Sequence, residues 1–184
     1  MSERNLQKAD SIVRISEVLG GGRSSGDAGS PDWRPIEGWL GTSLPDDYKE
    51  LAEKYGDGVI GGHLFIPHPA GPDPLLEFMK EGREIFHEAF GEHDEIPVRL
   101  AAVWDRVVPW AQHDWNGDMC LLLPPVESGG GWAVVVAFRQ CPDFLVFEGG
   151  VVDFLAEPLV KGMWPRGWPT NRPAWLSSDD PSFA

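Results

Sequence analysis

Residues 36–51, IEGWLGTSLPDDYKEL, contain the clearest folding signals of the chain. The apolar spacing of residues 33–40 predicts a short helix, and Gly41 is placed to end it as a C-cap. Pro45 suits the first turn of a second helix, and the Asp46-Asp47 pair complements the positive end of that helix's dipole. Apolar residues then recur at the spacing of one helix face: Tyr48, Leu51, Ala52 and Tyr55.

Upstream of this stretch, residues 6–19 predict a further helix, with Leu6, Ala9 and Val13 on one face. The segment 20–32 is rich in glycine and serine, which is typical of a flexible linker. We therefore expect four parts: a helical arm (1–19), the linker (20–32), a main domain (33–160) and an irregular tail (161–184). The arm is expected to dock either on this protein or on another chain.

Downstream, the pattern predicts one strand over 59–67, a loop, and a helix over 73–90. Several short apolar runs follow with short connections, which favours antiparallel strands, and residues 151–160 predict a closing helix. Together these elements predict an α+β fold. Its antiparallel sheet should contain about four to six strands, with the helices packed mainly on one face.

The chain has a formal net charge of −14, and most of it is carried by residues 41–184. Such a surface repels the phosphates of nucleic acids and anionic lipids, and it attracts basic partners. No run approaches the roughly 20 apolar residues of a membrane span. The two cysteines imply no disulfide framework, so a cytoplasmic location is expected.

The pieces around residues 36–51 resemble, in their order, the SUKH superfamily, which contains cell-wall-assembly-regulator proteins and bacterial immunity proteins of polymorphic toxin systems. The resemblance extends over about 33–160 and rests on sequences listed here: IEGWLG (36–41), LPDDYKEL (44–51), YGDG (55–58), VPWA (108–111), NGD (116–118) and the segment 147–155. It implies an α+β fold and intracellular binding of a protein, often a toxin domain such as a nuclease or deaminase. It supplies no general catalytic motif. The long arm, the segment 67–97 and the tail lie outside the resemblance.

Catalytic and metal-binding patterns are weak. His63 and His68 are five residues apart in a non-helical segment, which does not suit a zinc pair, so no metal or cofactor is expected. His113 and Asp114 offer a base and a carboxylate, but aspartate and asparagine in such turns usually close them through side-chain-to-backbone bonds. We therefore expect no enzymatic activity. A hydrolytic or small-molecule-binding enzyme using His113 and Asp114 stays as an alternative.

The favoured hypothesis is an immunity-type protein that neutralises a basic bacterial toxin domain. A regulatory scaffold that binds an endogenous protein is the second. Charge would set the encounter rate, and aromatic side chains would supply affinity; nine tryptophans are present. The residues expected to contact the partner lie near the 114–118 turn and on the helix over 73–90: Trp110, Asp114, Trp115, Asp118, Glu81, Glu84 and Glu88.

Overall fold

The computed structural model describes residues 3–20, 31–71, 74–127, 129–170, 173–178 and 180. These residues form an α+β fold, as the sequence predicted. The helices are α1 (Glu3–Leu19), α2 (Arg34–Leu40), α3 (Asp46–Tyr55), α4 (Leu75–Phe90), α5 (Val98–Ala101) and α6 (Val151–Lys161), with a 3-10 turn at Trp104–Arg106. The strands are β1 (Gly58–Ile60), β2 (Leu64–Ile66), β3 (Val108–His113), β4 (Met119–Leu123), β5 (Ala133–Phe138), β6 (Asp143–Phe147) and β7 (Trp175–Ser177).

The strands form one antiparallel sheet in the order β6-β5-β4-β3-β2-β1-β7. Six strands follow one another as a meander, and the strand from the tail closes the far edge beside β1. Seven strands exceed the expected four to six for two reasons. The segment 59–67 is a hairpin rather than one strand, and the tail contributes β7 instead of being wholly irregular.

The extra hairpin depends on two glycines. Gly61 and Gly62 both have positive φ, 62° and 74°, and the His63 amide donates to the Ile60 carbonyl at 3.2 Å. Successive positive φ angles match the right-handed twist of paired strands, so the chain reverses here instead of continuing as one strand. The two strands then pair with Ile60 opposite Leu64.

Helices lie on both faces of the sheet, and α1, α2, α3 and α6 share one of them. Side chains of β4 and β5 alternate between two hydrophobic clusters. One cluster also contains residues of α1, α2, α3 and α6 and of the first turns of α4. The other contains Phe86 and Phe90 of α4 and Leu100 of α5. Strands β4 and β5 are therefore buried along their whole length.

The N-terminal helix packs on this protein, mainly against α6. Its buried face is Ile12, Ile15 and Leu19, whereas Val13, expected on the apolar face, is exposed. The predicted periodicity was therefore displaced by one position. Residues 21–30 of the expected linker lie outside the described residues. In the part of the chain that is described, no helix is both long and apolar enough to cross a membrane.

Candidate functional site

The 114–117 turn is held by hydrogen bonds at both ends. The His113 amide donates to the Asp118 carbonyl at 2.8 Å, and the Gly117 amide donates to the His113 carbonyl at 2.9 Å. The Asn116 side chain accepts from the Asp118 amide at 2.9 Å. The expected closure of this turn by a side-chain-to-backbone bond is therefore confirmed at Asn116. The Asp114 amide also donates to the carbonyl of His63 at 2.8 Å, which connects the turn to the β1–β2 hairpin.

Asp118 does not offer a contact surface, which corrects its assignment as a partner-binding residue. Its side chain is only 2% exposed. One carboxylate oxygen accepts from the Arg139 amide at 3.0 Å, and the other accepts from the Trp168 indole at 2.9 Å. Asp118 therefore ties the tail to the turn, because a buried carboxylate is stable only when its oxygens are hydrogen-bonded.

Trp110 is likewise a core residue, which corrects its prediction as a partner-binding residue. It is 0% exposed. Its ring makes edge contacts with Tyr48 and Phe154, at centroid distances of 6.1 and 6.3 Å. A register shift in the β3–β4 pairing between Pro109 and Ala111 places this residue in a bulge. Strand β3 continues past this bulge to His113.

Trp115, in contrast, is 64% exposed at the tip of the turn. It lies over a buried aromatic base, at centroid distances of 5.8 Å from His63 and 6.1 Å from His113. The two histidine rings are 4.8 Å apart, and Trp168 lies 5.1 Å from His113. We call His63, His113, Trp115, Trp164 and Trp168 the histidine–tryptophan cluster. Within this cluster, the rings of His63 and His113 lie beneath the exposed indole of Trp115.

Burial keeps both histidines of the cluster neutral at pH 7. It lowers the pKa of His63, and it lowers that of His113 to about 4, with a further contribution from the nearby His63. His113 is 1% exposed, and neither of its ring nitrogens has a hydrogen-bond partner. The exposed Asp114 carboxyl, whose pKa is raised by desolvation, is therefore not bonded to that ring. The geometry gives no support to a His113–Asp114 acid–base pair.

The expected acidic face of α4 is exposed and lies near the turn. Glu81, Glu84 and Glu88 point to solvent together with Ile85, since these positions share one helix face. Glu81 and Gly117 line the same cavity of about 110 Å³, which connects α4 to the turn. We call Glu81, Glu84, Ile85, Glu88, Asp114 and Trp115 the α4–turn surface. Five of the seven predicted contact residues belong to it.

A second feature was not predicted: an open cavity of about 920 Å³ between the N-termini of α3 and α6, which we call the acidic cleft. Five carboxylates and one guanidinium are among its lining groups: Asp46, Asp47, Glu127, Glu148, Asp153 and Arg99. From the sequence, Asp46 and Asp47 were interpreted only as residues that stabilise the positive end of the α3 dipole. The other lining residues come from segments far away along the chain, so no local pattern could group them.

Asp47 is the buried acid of this cleft. It is 5% exposed, and its Oδ2 accepts from the Val152 amide at 3.3 Å, which caps α6 from a residue 105 positions away. The approach requires glycine at 150, because a Cβ there would collide with the Asp47 carboxylate. The other oxygen, Oδ1, is buried without a hydrogen-bond partner. An unpaired buried acceptor is costly, so it marks a position where a donor is missing.

Arg99 is the positively charged side chain that lines the same cleft as Asp47. Its Nη2 donates to the Gly131 carbonyl at 3.0 Å, which fixes the guanidinium beside the loop that leads into β5. Its Nη1 is buried and has no hydrogen-bond partner. The cleft therefore offers one unsatisfied acceptor and one unsatisfied donor.

Comparison of the chain with protein-family models, with curated proteins and with solved structures finds no match. The similarity to the SUKH superfamily thus stays a prediction from the sequence. Among the described residues, no group of three or more histidine, cysteine, aspartate or glutamate side chains is placed to hold a metal ion. The two cysteines are free; Cys120 is buried and Cys141 is exposed.

Proposed function

We propose that this chain is a non-catalytic protein-binding module of the immunity type, which neutralises a basic toxin domain by covering it with the α4–turn surface. The observation that carries the proposal is Trp115, a large aromatic side chain left exposed on a turn that is fixed by three backbone–backbone hydrogen bonds and one side-chain-to-backbone bond. Exposed tryptophans on rigid supports are the usual anchors of protein interfaces.

The physical reason is preorganisation. Association costs free energy because side chains and loops must be ordered, and a turn that is already fixed reduces this cost. The buried rings of His63 and His113 limit the movement of the Trp115 ring, since it packs against both of them. The indole is therefore held where it can enter a pocket of the partner.

Charge supplies the second part of the proposal. Glu81, Glu84 and Glu88 form an exposed acidic row on α4, and Glu81 lines the cavity that reaches the turn at Gly117. Such a row attracts a basic surface during encounter, and its contribution falls as salt screens it. Toxins that process nucleic acids often have basic active-site surfaces, so the row and the partner would be complementary.

The first step is to look for a neighbouring gene that encodes a toxin domain, whose presence would favour the immunity hypothesis and whose absence would favour the regulatory scaffold. The binding kinetics of the purified protein with such a toxin domain are then measured by biolayer interferometry. We expect E84K/E88K to lower the association rate and to weaken its salt dependence. W115A should mainly raise the dissociation rate, with a loss of about 2 kcal/mol or more in binding. E17K, which reverses a charge at an exposed position of α1, is the control.

Normal kinetics for both W115A and E84K/E88K would exclude the α4–turn surface. Failure of the wild-type protein to rescue cells from the adjacent toxin, with capture of an endogenous partner instead, would favour the regulatory-scaffold hypothesis. D114K is a further useful variant because Asp114 is exposed, whereas changes at the buried Asp118 would report on folding.

A further inference from the structure

We propose that the acidic cleft is a second binding site, which receives a basic residue of a polypeptide. In this arrangement the arginine or lysine side chain donates to Oδ1 of Asp47, and a main-chain carbonyl beside it accepts from Nη1 of Arg99. Asp47 and Arg99 both line the cleft, and these two atoms are buried without a hydrogen-bond partner. The site is independent of the α4–turn surface, with which it shares no lining residue.

The charge of the cleft selects a cation. Five carboxylates face one guanidinium around the same cavity, so an anionic occupant would be repelled. Asp47 already uses Oδ2 for the Val152 amide, which leaves Oδ1 for a donor from outside. A charge-assisted bond to a buried carboxylate is roughly twice as strong as a neutral one. Trp132 also lines the cleft, and a guanidinium can stack on an indole face.

The size of the cleft and the position of Arg99 favour a polypeptide over a free amino acid. A cavity of about 920 Å³ lies at the upper end of the range of small-molecule sites, so a single basic residue would fill only part of it. Nη2 of Arg99 already donates to the Gly131 carbonyl, so Nη1 is the nitrogen left to donate to an occupant of the cleft. A neutral main-chain carbonyl supplies the accepting oxygen without adding the negative charge that a free carboxylate would bring among five acids.

The first experiment maps binding on the wild-type protein by two-dimensional NMR. The probes are acetyl-Gly-Arg-Gly-amide, the same capped peptide with alanine in place of arginine, and free arginine. We expect the arginine peptide to shift the amide signals of residues 46–47, 130–132 and 148–153. The alanine peptide should bind at least about tenfold more weakly. Shifts confined to the α4–turn surface, or no shifts at all, would overturn the proposal, and so would tighter binding of free arginine.

The second experiment changes the two unsatisfied groups. D47N retains an oxygen that can accept from the Val152 amide but loses the charge, and we expect it to weaken the arginine peptide at least about tenfold. D94N makes the same chemical change at an exposed site outside the cleft and should leave the affinity unchanged. R99A should weaken the arginine peptide and have less effect on methylguanidinium, which lacks a carbonyl.

Equal affinities of D47N, D94N and the wild type would refute the role of Asp47. If D47N does not fold, E148Q at the exposed rim gives the same test with a smaller expected effect of about twofold to threefold, because exposed ion pairs contribute little. The outcome does not depend on the toxin hypothesis. W115A should bind the arginine peptide as the wild type does, so loss of peptide binding in W115A would contradict the independence of the two sites.

Discussion

Acidification should destabilise this protein through His113, and the size of the effect follows from its burial. The pKa of His113 is lowered from an ordinary value of 6.5 to about 4 in the folded state. Between these values the unfolded chain binds a proton that the native ring does not, so the free energy of unfolding falls as the pH is lowered. The loss is about 2 kcal/mol at pH 5 and approaches about 3 kcal/mol below pH 4. His63, whose pKa burial also lowers, acts in the same direction, whereas the nearby Asp118 carboxylate favours protonation of His113.

The assay is urea unfolding followed by tryptophan fluorescence at pH 7 and pH 5, with H113F as the comparison. Phenylalanine keeps an aromatic ring and breaks no side-chain hydrogen bond, because neither ring nitrogen of His113 has a partner. With an m-value of about 2 kcal/mol/M, the wild-type midpoint should fall by about 1 M more than that of H113F. Identical falls in the two proteins would refute the assignment of the pH dependence to His113.

Three further predictions concern the fold. W168F removes the indole donor from a buried carboxylate and should cost about 1–3 kcal/mol in urea unfolding; an unchanged midpoint would show that the bond does not hold the tail. G150A places a methyl group against the carboxylate that caps α6 and should destabilise by a few kcal/mol, roughly the cost of overpacking, while G38A, in open space within α2, should be neutral or stabilising by up to about 1 kcal/mol. A thiol reagent should modify only Cys141 in the native protein and both cysteines in urea, because burial of Cys120 raises its pKa; rapid native modification of both would contradict this packing.

The elements that depend on nearby residues could be predicted from the sequence. Helix α3 begins at the aspartate pair, as predicted, and its four predicted apolar residues are buried. Gly41 ends α2 with a positive φ of 69°, as expected of a C-cap. Strand β7 could not be predicted, because Trp175–Ser177 gains its partner only when β1, more than 100 residues away, is already in place.

The same distinction applies to the two candidate sites. The turn and the acidic face of α4 are local features, so Trp115 and Glu84 were recognised as exposed contact candidates. The acidic cleft needs the starts of α3 and α6, α5 and the loops before β5 and α6 to meet, and this arrangement exists only in the folded chain. Trp110 was misassigned for a related reason: the bulge in β3 is a property of its pairing with β4 and has no signal in the strand itself.

The net charge of −14 overstates the charge that is available to a partner. Asp47, Asp57 and Asp118 are buried, and each accepts a hydrogen bond from the backbone amide of a distant segment. These three carboxylates act as internal connections, since they satisfy amides that β-strand pairing and helices leave without a partner. Steering of a basic partner must therefore come from exposed acids such as those of α4. If exposed and buried acids are neutralised together, a loss of binding could come from unfolding. Substitution of the exposed acids alone isolates the electrostatic contribution to the association rate.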